Sequence, residues 1–390
     1  MSPAPRAVIT GLGAVSGLGL GVAAFWDGLC AGRSAIGPGP GGAAGAAGHL
    51  AAAVPGGDPG PRRATWLVQA AAAEALAMAG LDPPFGPRLA PAVAVAVGST
   101  LGGLRTFLPR LRGTSRATPP TFTPAGPAVE LAAGLGAEGP LLAPSIACAS
   151  GTAAVGAALD LVRGGRARVV VCGGVDTLSD FVVAGFQALQ ALDGEPARPF
   201  DAARHGLSLG EGAAVLVVED EDHARGRGAT VLACLTGYGL SDDANHMTGP
   251  DPRGRGASRG MRAALRDAGR TPAEVDFISL HGTGTVYNDL MEHHAVHDLC
   301  GARAGAVPVN SIKGAIGHTL GAAGAFEAVL CARVAQTGLI PPTTGLAAPD
   351  PQIVLDLVRG APRAAPVRVA VSTTSGFGGL NAAIVVERAG

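Results

Sequence analysis

The amino-acid sequence predicts a layered α/β protein with a duplicated fold. Short β-branched runs alternate with alanine-rich stretches of helical period along the chain, which is the pattern of sheets covered by helices. The 390 residues, 47% of them hydrophobic, are enough to bury one large core or two fused cores. Both halves show a similar run of strands and helices, which suggests duplication, but their sequence identity is too weak to prove it.

Nine segments are predicted to be strands because each is short and rich in apolar or β-branched residues. In chain order they are Arg6–Thr10, Ala92–Val97, Ala167–Cys172, Ala213–Glu219, Thr230–Tyr238, Asp276–Leu280, Val307–Asn310, Val367–Ser372 and Ala382–Glu387. Helices are predicted between them at Ala64–Ala79, from just after Cys148 to about Arg163, and at Ser258–Ala268, Asp289–Leu299 and Thr319–Gln336. Two segments rich in glycine, proline and alanine, Gly37–Pro61 and Ala117–Pro127, are predicted to be surface loops rather than linkers between independent domains.

Composition and charge argue against several classes of protein. With 29 basic and 30 acidic residues the formal net charge is -1, so there is no field to bind nucleic acid, although a small basic patch could contact an acidic carrier protein. No run approaches ~20 apolar residues, and the start, MSPAPRAVITGLG, lacks the pattern of a signal peptide. We therefore expect a cytoplasmic protein that does not contact membranes. The six cysteines show no C-x-x-C spacing, which argues against a zinc site or a disulfide framework.

A glycine-rich segment near the start, ITGLGAVSGLGLG, resembles a dinucleotide-binding motif because it follows a predicted strand. The spacing Gly11-x-Gly13-x-x-Ser16 lacks the third glycine of that motif, and no strand ending in Asp or Glu follows about 20 residues later. We predict a tight structural turn here, with no bound cofactor.

Cys148 is the first candidate functional residue. It lies in Ala143-Pro-Ser-Ile-Ala-Cys-Ala-Ser-Gly-Thr, where an apolar segment bounded by proline gives way to a predicted helix of small residues. A thiol at a helix N-terminus faces unpaired backbone N–H groups and the positive end of the helix dipole, which lower its pKa and favour the nucleophilic thiolate. The local pattern also fits a buried, unreactive cysteine.

Two histidines follow predicted strands in glycine-rich turns, His281 in SLHGTGTVYND and His318 in KGAIGHTLGAAG. Such turns place side chains at the carboxyl ends of strands, where α/β proteins usually build their sites. A neutral imidazole can donate a hydrogen bond from Nε2 to a developing enolate oxygen, and two donors stabilise that oxygen better than one. Each histidine alone also fits a structural role.

Several other polar residues lie near these histidines in the sequence. The residues that strengthen the case for a site are Thr283, Thr285, Lys313 and Glu327. A separate cluster of His293, His294 and His297 lies on what reads as an exposed helix, and we expect no metal site there.

The chain resembles the elongating β-ketoacyl synthases of the thiolase superfamily, because matching segments occur in the same order almost from end to end. They are VITGLGAVSGLGLGVAAFWDGLCAGRSAI, ACASG, RPFDAARHGLSLGEGAAVLVVE, DDANHMTGP, HGTGTVYND, IKGAIGHTLGAAGAFEA and GFGGLNAAIVVE. Several long motifs in order are far more specific than one short pattern. The resemblance implies a thiolase-like duplicated fold with five layers, α-β-α-β-α. It also implies a division into halves at residues 1–228 and 229–390, and a dimer with Cys148 near the interface.

The same resemblance implies catalytic roles for the matching residues. Cys148 would take an acyl group from the phosphopantetheine arm of acyl carrier protein, and the chain would need no cofactor of its own. Backbone N–H groups of Cys148 and Phe377 would form the oxyanion hole. His281 and His318 would promote loss of CO2 from a malonyl thioester and stabilise the enolate that attacks the acyl group.

Further residues are implied in support and substrate binding. Lys313 would pair with Glu327 beneath the site, and Thr283 and Thr285 resemble threonines that contact pantetheine. Phe377, in the GFGG loop, resembles a gate whose flanking glycines let it swing as the acyl chain binds. A second loop, which moves with that gate in relatives, carries Asp243, His246 and Thr248.

Related functions in the superfamily fit less well. A degradative thiolase would need a second cysteine near its C-terminal glycine loop, and no cysteine follows Cys331. An initiating synthase would pair one histidine with an asparagine, whereas the GHT motif here supplies His318. A chain-length factor, the non-catalytic partner in some polyketide synthases, usually lacks the nucleophile that Cys148 provides. A scaffold role of that kind is the alternative function, and the partner could be a second copy, a related ketosynthase or a chain-length factor.

The gate loop departs from the common family pattern. Many elongating synthases read Asn-Ser-Phe-Gly-Phe-Gly-Gly-Thr-Asn, while this chain reads Thr373-Thr-Ser-Gly-Phe-Gly-Gly-Leu-Asn. Ser375 removes an aromatic ring beside the nucleophile and should reshape that corner of a substrate pocket, and Leu380 replaces a hydroxyl group. Asn245 also replaces a common aromatic residue. These differences favour specialised elongation, in polyketide or polyene synthesis, over ordinary fatty acid synthesis.

Overall fold

The computed structural model describes residues 5–39, 49–56, 60–114 and 121–390. Within these residues the chain forms one large mixed sheet, two small sheets and a set of helices that cover them. Parts of the two predicted surface loops, at residues 40–48, 57–59 and 117–120, lie outside the described residues. No described helix is both long enough and apolar enough to cross a membrane.

The first half of the chain supplies strands and helices that run up to residue 226. Its strands are β1 (Ala7–Ser16), β2 (Gly19–Leu20), β3 (Gly37–Pro38), β4 (Leu50–Ala52), β5 (Val93–Gly98), β6 (Leu141–Leu142), β7 (Val169–Asp176), β8 (Leu209–Gly210) and β9 (Gly212–Asp220). Its helices are α1 (Val22–Cys30), α2 (Arg63–Ala79), α3 (Leu104–Leu111), α4 (Gly126–Leu135), α5 (Ser150–Arg163), α6 (Asp180–Ala188) and α7 (Glu221–Gly226).

The second half begins with a long strand and ends with a hairpin. Its strands are β10 (Ala233–Asp242), β11 (Phe277–Ser279), β12 (Pro308–Asn310), β13 (Leu339–Ile340), β14 (Asp356–Leu357), β15 (Arg363–Ala364), β16 (Val369–Gly376) and β17 (Leu380–Arg388). Its helices are α8 (Arg255–Asp267), α9 (Val286–Cys300), α10 (Lys313–Ile316) and α11 (Ala323–Thr337). The predicted division at residues 228 and 229 lies between α7 and β10, and we retain it as a proposal.

The large sheet has the same topology in both halves. Its strand order is β6-β5-β7-β9-β1 across the first half and β12-β11-β16-β17-β10 across the second, where β14 extends the edge. In each half the first three strands are parallel and the last two are added antiparallel. The halves join where β1 pairs antiparallel with β10 and Val8 lies opposite Cys234. The fold is therefore duplicated, which sequence identity alone could not establish.

The helices and the two halves of this sheet form five layers. Helices α5 and α11 lie in the middle, because each contacts strands of both halves, while α2 and α4 cover the outside of the first half. Helix α8, with α9 packed beside it, covers the outside of the second half. Since α11 is buried on nearly all sides, its sequence is apolar around the whole helix rather than on one stripe. The layer order is α-β-α-β-α, as the resemblance implied.

Small residues bring the N-termini of the two central helices together. A Cβ on Gly151, in the first turn of α5, would lie only 2.7 Å from the carbonyl oxygen of Gly321, just before α11. Only glycine permits this approach. The residues that precede the two helices, which include Cys148 and His318, are therefore held close to one another.

The predicted elements are present, with shifted ends. Strand β1 is the largest deviation, because it continues to Ser16 instead of ending at Thr10. The tight turn predicted in ITGLGAVSGLGLG is therefore wrong for Gly11 and Gly13, which lie inside β1. A Cβ on Gly13 would lie 1.9 Å from the carbonyl oxygen of Ala71 in α2, so these glycines let the helix backbone contact the strand. Helices α1, α3, α4, α6, α7 and α10 were not predicted.

The described part of the segment Gly37–Pro61 is also more ordered than a surface loop. Strands β3 and β4 pair with each other, and β4 runs parallel to β8, where Ala52 aligns with Gly210. Within β8, Leu209 forms a bridge with His318. This small sheet therefore supports one of the predicted histidines. In the second predicted loop, the described residues after position 120 lead into α4, which begins at Gly126.

Candidate active site

Cys148 occupies a tight turn immediately before α5. Ala147 has a left-handed φ of 51°, which is uncommon for a residue with a Cβ and is typical of constrained functional turns. Ser150 closes the turn, because its hydroxyl donates to the Ala147 carbonyl oxygen at 2.6 Å and accepts from the Ile146 N–H at 2.9 Å. The turn directs the Cys148 side chain into a cavity of about 420 Å³.

His318 lies directly against the thiol, with Nε2 at 3.0 Å from Cys148 Sγ. The backbone N–H of Leu320 donates to Nδ1 at 3.3 Å, so a neutral His318 ring carries its proton on Nε2. The backbone of His318 is fixed by the N–H donating to Ser208 O at 2.7 Å and the carbonyl accepting from Gly210 N–H at 2.9 Å. The ring therefore presents a hydrogen-bond donor to the thiol and to the cavity.

His281 follows β11 and faces the same point. Its ring lies edge-on to that of His318, with 5.1 Å between ring centroids. Glu292, on α9, holds the turn because its carboxylate accepts from the N–H groups of His281 at 2.7 Å and Gly282 at 2.6 Å. Burial raises the pKa of Glu292 to about 8. Nδ1 of His281 is buried and has no hydrogen-bond partner among the described residues.

Both rings are neutral at ordinary pH. Burial lowers the pKa of His281 and of His318 well below 6.5, and the positive charge of Lys313 lowers both further. Lys313 is itself buried and donates from Nζ to Glu327 Oε1 at 2.6 Å. Glu327 Oε2 accepts from Thr374 Oγ1 at 2.7 Å. Burial raises the pKa of Glu327, and Lys313 opposes that rise.

The pKa of Cys148 differs from the sequence expectation. The thiol does lie at the N-terminus of a helix, but burial raises its pKa to about 12, and the charge of Lys313 only partly offsets this effect. The loss of hydration outweighs the helix dipole, because the side chain is only 7% exposed. Cys148 is therefore a thiol in this state, and the prediction of a resting thiolate was wrong.

The cavity collects the residues that sequence reasoning assigned to substrate binding. Besides Cys148, His281 and His318, its walls include Thr283, Thr285, Asp243, His246, Thr248, Ser375 and Phe377. Lys313 and Glu327 do not line it and lie beneath the histidines. Thr283 and Thr285 contact each other, with 2.9 Å between their hydroxyl oxygens.

Phe377 is accompanied by an aromatic residue that the sequence did not single out. Phe186, on α6, stacks against Phe377 with 5.8 Å between ring centroids and lies edge-on to His318 at 6.5 Å. A Cβ on Gly376 would lie 3.2 Å from the backbone nitrogen of Cys148, so the loop that carries Phe377 passes directly over the Cys148 turn. Nothing local in GFQALQ distinguishes Phe186 from an ordinary core residue.

Hydrogen bonds connect the gate loop to the loop that carries Asp243. Ser375 Oγ donates to Asn381 Oδ1 at 2.7 Å, and Asn381 Nδ2 donates to Asp243 Oδ1 at 2.8 Å. The backbone N–H of Gly378 also donates to Met247 O at 2.8 Å. Ser375 is therefore tied into a polar network as well as lining the cavity. These hydrogen bonds join the two loops to each other.

Two buried carboxylates near the site were also missed. Glu292 follows His281 by eleven positions, and Asp176 ends the buried strand β7. An acidic residue at the carboxyl end of a buried strand is a recognisable signal in α/β proteins, so Asp176 could have been selected. Glu292 could not, because its contacts with the backbone N–H groups of His281 and Gly282 form only in the folded chain.

The donor atoms of Cys148, His281 and His318 lie within 4.8 Å of one another, close enough to consider a metal ion. The hydrogen bond from Leu320 to Nδ1 argues against this use, because it leaves Nε2 of His318 with a proton rather than a lone pair.

In the separate cluster, His294 is exposed whereas His293 and His297 are half-buried, so α9 is less exposed than expected. His297 instead contacts the Val354 carbonyl oxygen at 3.0 Å.

Comparison with known proteins places these features in a family. The profile of the β-ketoacyl synthase N-terminal domain matches residues 62–224, and that of the C-terminal domain matches residues 232–347. The tetracenomycin polyketide synthase ketoacyl synthase alpha subunit of Streptomyces glaucescens is 40% identical, over 98% of this chain and 97% of that protein.

Solved structures agree with the sequence matches. The ishigamide ketosynthase/chain length factor superposes with a TM-score of 0.90 at 34% identity, covering 99% of this chain and 100% of that one. A type II polyketide synthase acyl-carrier protein in complex with its ketosynthase bound to the hexaketide gives a TM-score of 0.91 at 29% identity, with coverage of 99% and 100%. Because the matches extend over nearly the whole chain, the protein belongs to the β-ketoacyl synthase family.

Proposed function

We propose that the chain is a β-ketoacyl-[acyl-carrier-protein] synthase, an acyltransferase that forms carbon–carbon bonds by decarboxylative Claisen condensation. The observation that supports this most directly is the 3.0 Å contact between Cys148 Sγ and His318 Nε2, with His281 edge-on beside them in one cavity. A nucleophile and two neutral hydrogen-bond donors are the groups that this reaction requires.

The first half-reaction transfers an acyl group to Cys148. Sγ forms a bond to the carbonyl carbon of an acyl thioester, the bond from that carbon to the pantetheine sulfur breaks, and the thiol proton passes to the departing pantetheine thiolate. Because the thiol has a pKa of about 12, the proton must leave as Sγ attacks rather than beforehand. The backbone N–H groups of Cys148 and Phe377 bind the oxyanion formed in this step.

The second half-reaction consumes a malonyl thioester. Its carbon–carboxylate bond breaks, CO2 leaves, and the electron pair moves onto the thioester carbonyl as an enolate. His281 and His318 donate hydrogen bonds to that oxygen. A neutral imidazole ring can do this, because it carries one N–H group. The enolate carbon then attacks the acyl carbonyl, the bond to Sγ breaks, and the departing Cys148 thiolate takes a proton from solvent water.

The remaining predicted residues support these steps. Lys313 and Glu327 hold the floor beneath the histidines, and the charge of Lys313 helps to keep both rings neutral. Thr283 and Thr285 bind the pantetheine arm at the cavity wall. Phe377 opens and closes access to Cys148, together with the loop that carries Asp243, His246 and Thr248.

Acyl carrier protein is the proposed source of both substrates, and no cofactor of the chain's own is needed. A structure similar to this chain is a ketosynthase in complex with an acyl-carrier protein.

The chain also functions as a dimer, with itself or with a related ketosynthase or chain-length factor. In support, β6 is the outermost strand of the first half, and its Leu141 and Leu142 are 43% and 37% exposed. An apolar edge strand is a template for pairing with another chain.

Specialised polyketide or polyene elongation is the proposed context, rather than ordinary fatty acid synthesis. Ser375 lines the cavity beside Cys148, where a phenylalanine would fill space. The similarity to the tetracenomycin and ishigamide proteins supports the same direction.

Intact-protein mass spectrometry tests the proposal. Purified protein is incubated with a panel of acyl-carrier thioesters, alone and with malonyl carrier protein, and we expect an acyl mass on Cys148 and then a β-ketoacyl product. Cys148→Ala should abolish both, since alanine fits the packed turn but has no nucleophile. If a complex that contains Cys148→Ala keeps full condensation activity, the chain is a scaffold like a chain-length factor, and the proposal is wrong.

A further inference from the structure

Asp176, at the carboxyl end of β7, is a fully buried carboxylate with four hydrogen-bond donors around it. Its Oδ1 accepts from Ser99 Oγ at 2.8 Å and from the Leu101 N–H at 2.9 Å. Its Oδ2 accepts from the Thr100 N–H at 2.9 Å and from the Gly321 N–H at 2.7 Å. The side chain does not line the cavity, and the mechanism above does not use it.

One set of these contacts leads to the nucleophile. Asp176 fixes the backbone of Thr100, and Thr100 Oγ1 in turn donates to the Ala147 carbonyl oxygen at 3.0 Å. Ala147 is the left-handed residue that immediately precedes Cys148. Its peptide must keep one orientation for Sγ to point into the cavity. Asp176 therefore holds the Cys148 turn through one intermediate side chain.

The other contact leads to the histidine. Gly321 follows Leu320, whose N–H donates to His318 Nδ1, and both residues belong to the single helical turn Leu320–Ala322 before α11. A Cβ on Gly321 would lie 2.6 Å from Asp176 Oδ2, so only glycine lets this backbone N–H reach the carboxylate. Asp176 thus holds the segment that fixes the tautomer and direction of His318.

We propose that Asp176 is the positioning residue that sets the contact between Cys148 and His318. It is the common anchor of two segments that are distant in sequence and carry the two groups separately. An ionised carboxylate accepts from all four partners, whereas an asparagine would turn its NH2 group towards at least one backbone N–H, which can only donate. This role rests on the proposed function, in which Cys148 carries the acyl group and His318 stabilises the enolate that attacks it.

The carboxylate has a second effect, which supplies an independent measurement. Three charged groups act on the Cys148 thiol: Lys313 lowers its pKa, while Asp176 and Glu327 raise it. The neutral ring of His318 adds no charge. Removing the charge of Asp176 should therefore lower the pKa of Cys148, increase the thiolate fraction at a fixed pH, and speed alkylation of Cys148 by iodoacetamide. A change of one pKa unit corresponds to about tenfold in the thiolate fraction.

Three variants separate these effects. Asp176→Asn removes the charge and disturbs both segments. Thr100→Val keeps the charge and removes only the hydrogen bond to Ala147. Asp201→Asn is the matched control. Asp201 is also a buried carboxylate, and it accepts from the backbone N–H groups of Ala203, Ala347 and Ala348. It does not line the cavity.

Stability in urea, the rate of acyl loading and the rate of alkylation are measured for each variant under conditions where it is folded. For Asp176→Asn we expect loading about 10²-fold slower, the scale for misplacing a reacting group by about 1 Å, together with alkylation about tenfold faster. For Thr100→Val we expect loading about fivefold slower, with alkylation unchanged. Asp201→Asn should load and alkylate like the wild type.

Two results would overturn the proposal. In the first, Asp176→Asn loads and alkylates like the wild type. In the second, Asp176→Asn and Asp201→Asn lose loading equally at equal loss of stability, which would make the effect generally structural. Failure of the wild-type protein to load any acyl chain would refute the proposed function instead. In that case the alkylation rates still decide whether Asp176 acts on Cys148, since they require no substrate.

Discussion

Lys313→Met should destabilise the protein strongly, because it removes the partner of a buried charge. Nζ of Lys313 lies 2.6 Å from Glu327 Oε1, and both side chains are almost completely buried. Methionine has a similar length and no charge, so the substitution leaves Glu327 with hydrogen bonds only from Thr374 and Ser372. Breaking one side of a buried ion pair costs about 3–5 kcal/mol. Equilibrium unfolding in urea at neutral pH measures this loss.

The double variant Lys313→Met/Glu327→Gln provides the control. Glutamine keeps the size of the side chain and an acceptor for the Thr374 hydroxyl, but it carries no charge. We therefore expect it to recover most of the stability that the single variant loses. Condensation should stay impaired in both variants, because both lack the charge that helps to keep His281 and His318 neutral.

The loss should also depend on pH in a defined direction. Without Lys313, only the hydrogen bonds from Thr374 and Ser372 oppose the effect of burial on Glu327, so its folded-state pKa rises further above its ordinary value of 4.5. A group with a raised folded-state pKa is favourable while protonated, so the single variant should lose stability as the pH rises above 4.5. The double variant has no such group at position 327. If the two variants are equally unstable at every pH, Glu327 is not an uncompensated charge and this reasoning fails.

Two further predictions concern catalysis and substrate choice. His281→Ala and His318→Ala should still accept an acyl group on Cys148, but each should lose about 10²-fold or more in the rate of condensation with malonyl-carrier protein. If either variant decarboxylates malonyl thioester at the wild-type rate, the role assigned to that histidine is wrong. Ser375→Phe should reduce loading of long or polyunsaturated chains far more than of short saturated ones, by roughly 5- to 150-fold, because overpacking a formed pocket costs about 1–3 kcal/mol. Competition between two carrier-bound chains, read by intact-protein mass spectrometry, measures that ratio, and an unchanged ratio would show that Ser375 does not contact the acyl chain.

Local sequence patterns were enough to find the main elements, and together with the family resemblance they identified the residues at the centre of the site. The predicted segments around β5, β9, α2 and α5 are close to those observed, because hydrophobic periodicity is a local property. Cys148, His281 and His318 were selected from their own motifs, and all three line one cavity. Helices such as α3, with a proline inside, and α6 have no equally clear local signal.

Tertiary structure alone decided how these residues act on one another. Cys148 and His318 are 170 positions apart, and their contact depends on the approach of two central helices at Gly151 and Gly321. Burial is the sum of contacts from many distant segments, so the sequence suggested a thiolate at a helix N-terminus while the fold gives a thiol with a pKa of about 12. Asp176 acquires its four donors for the same reason. The sequence by itself determined which chemical groups are present, and long-range packing determined their distances, their hydration and hence their charge.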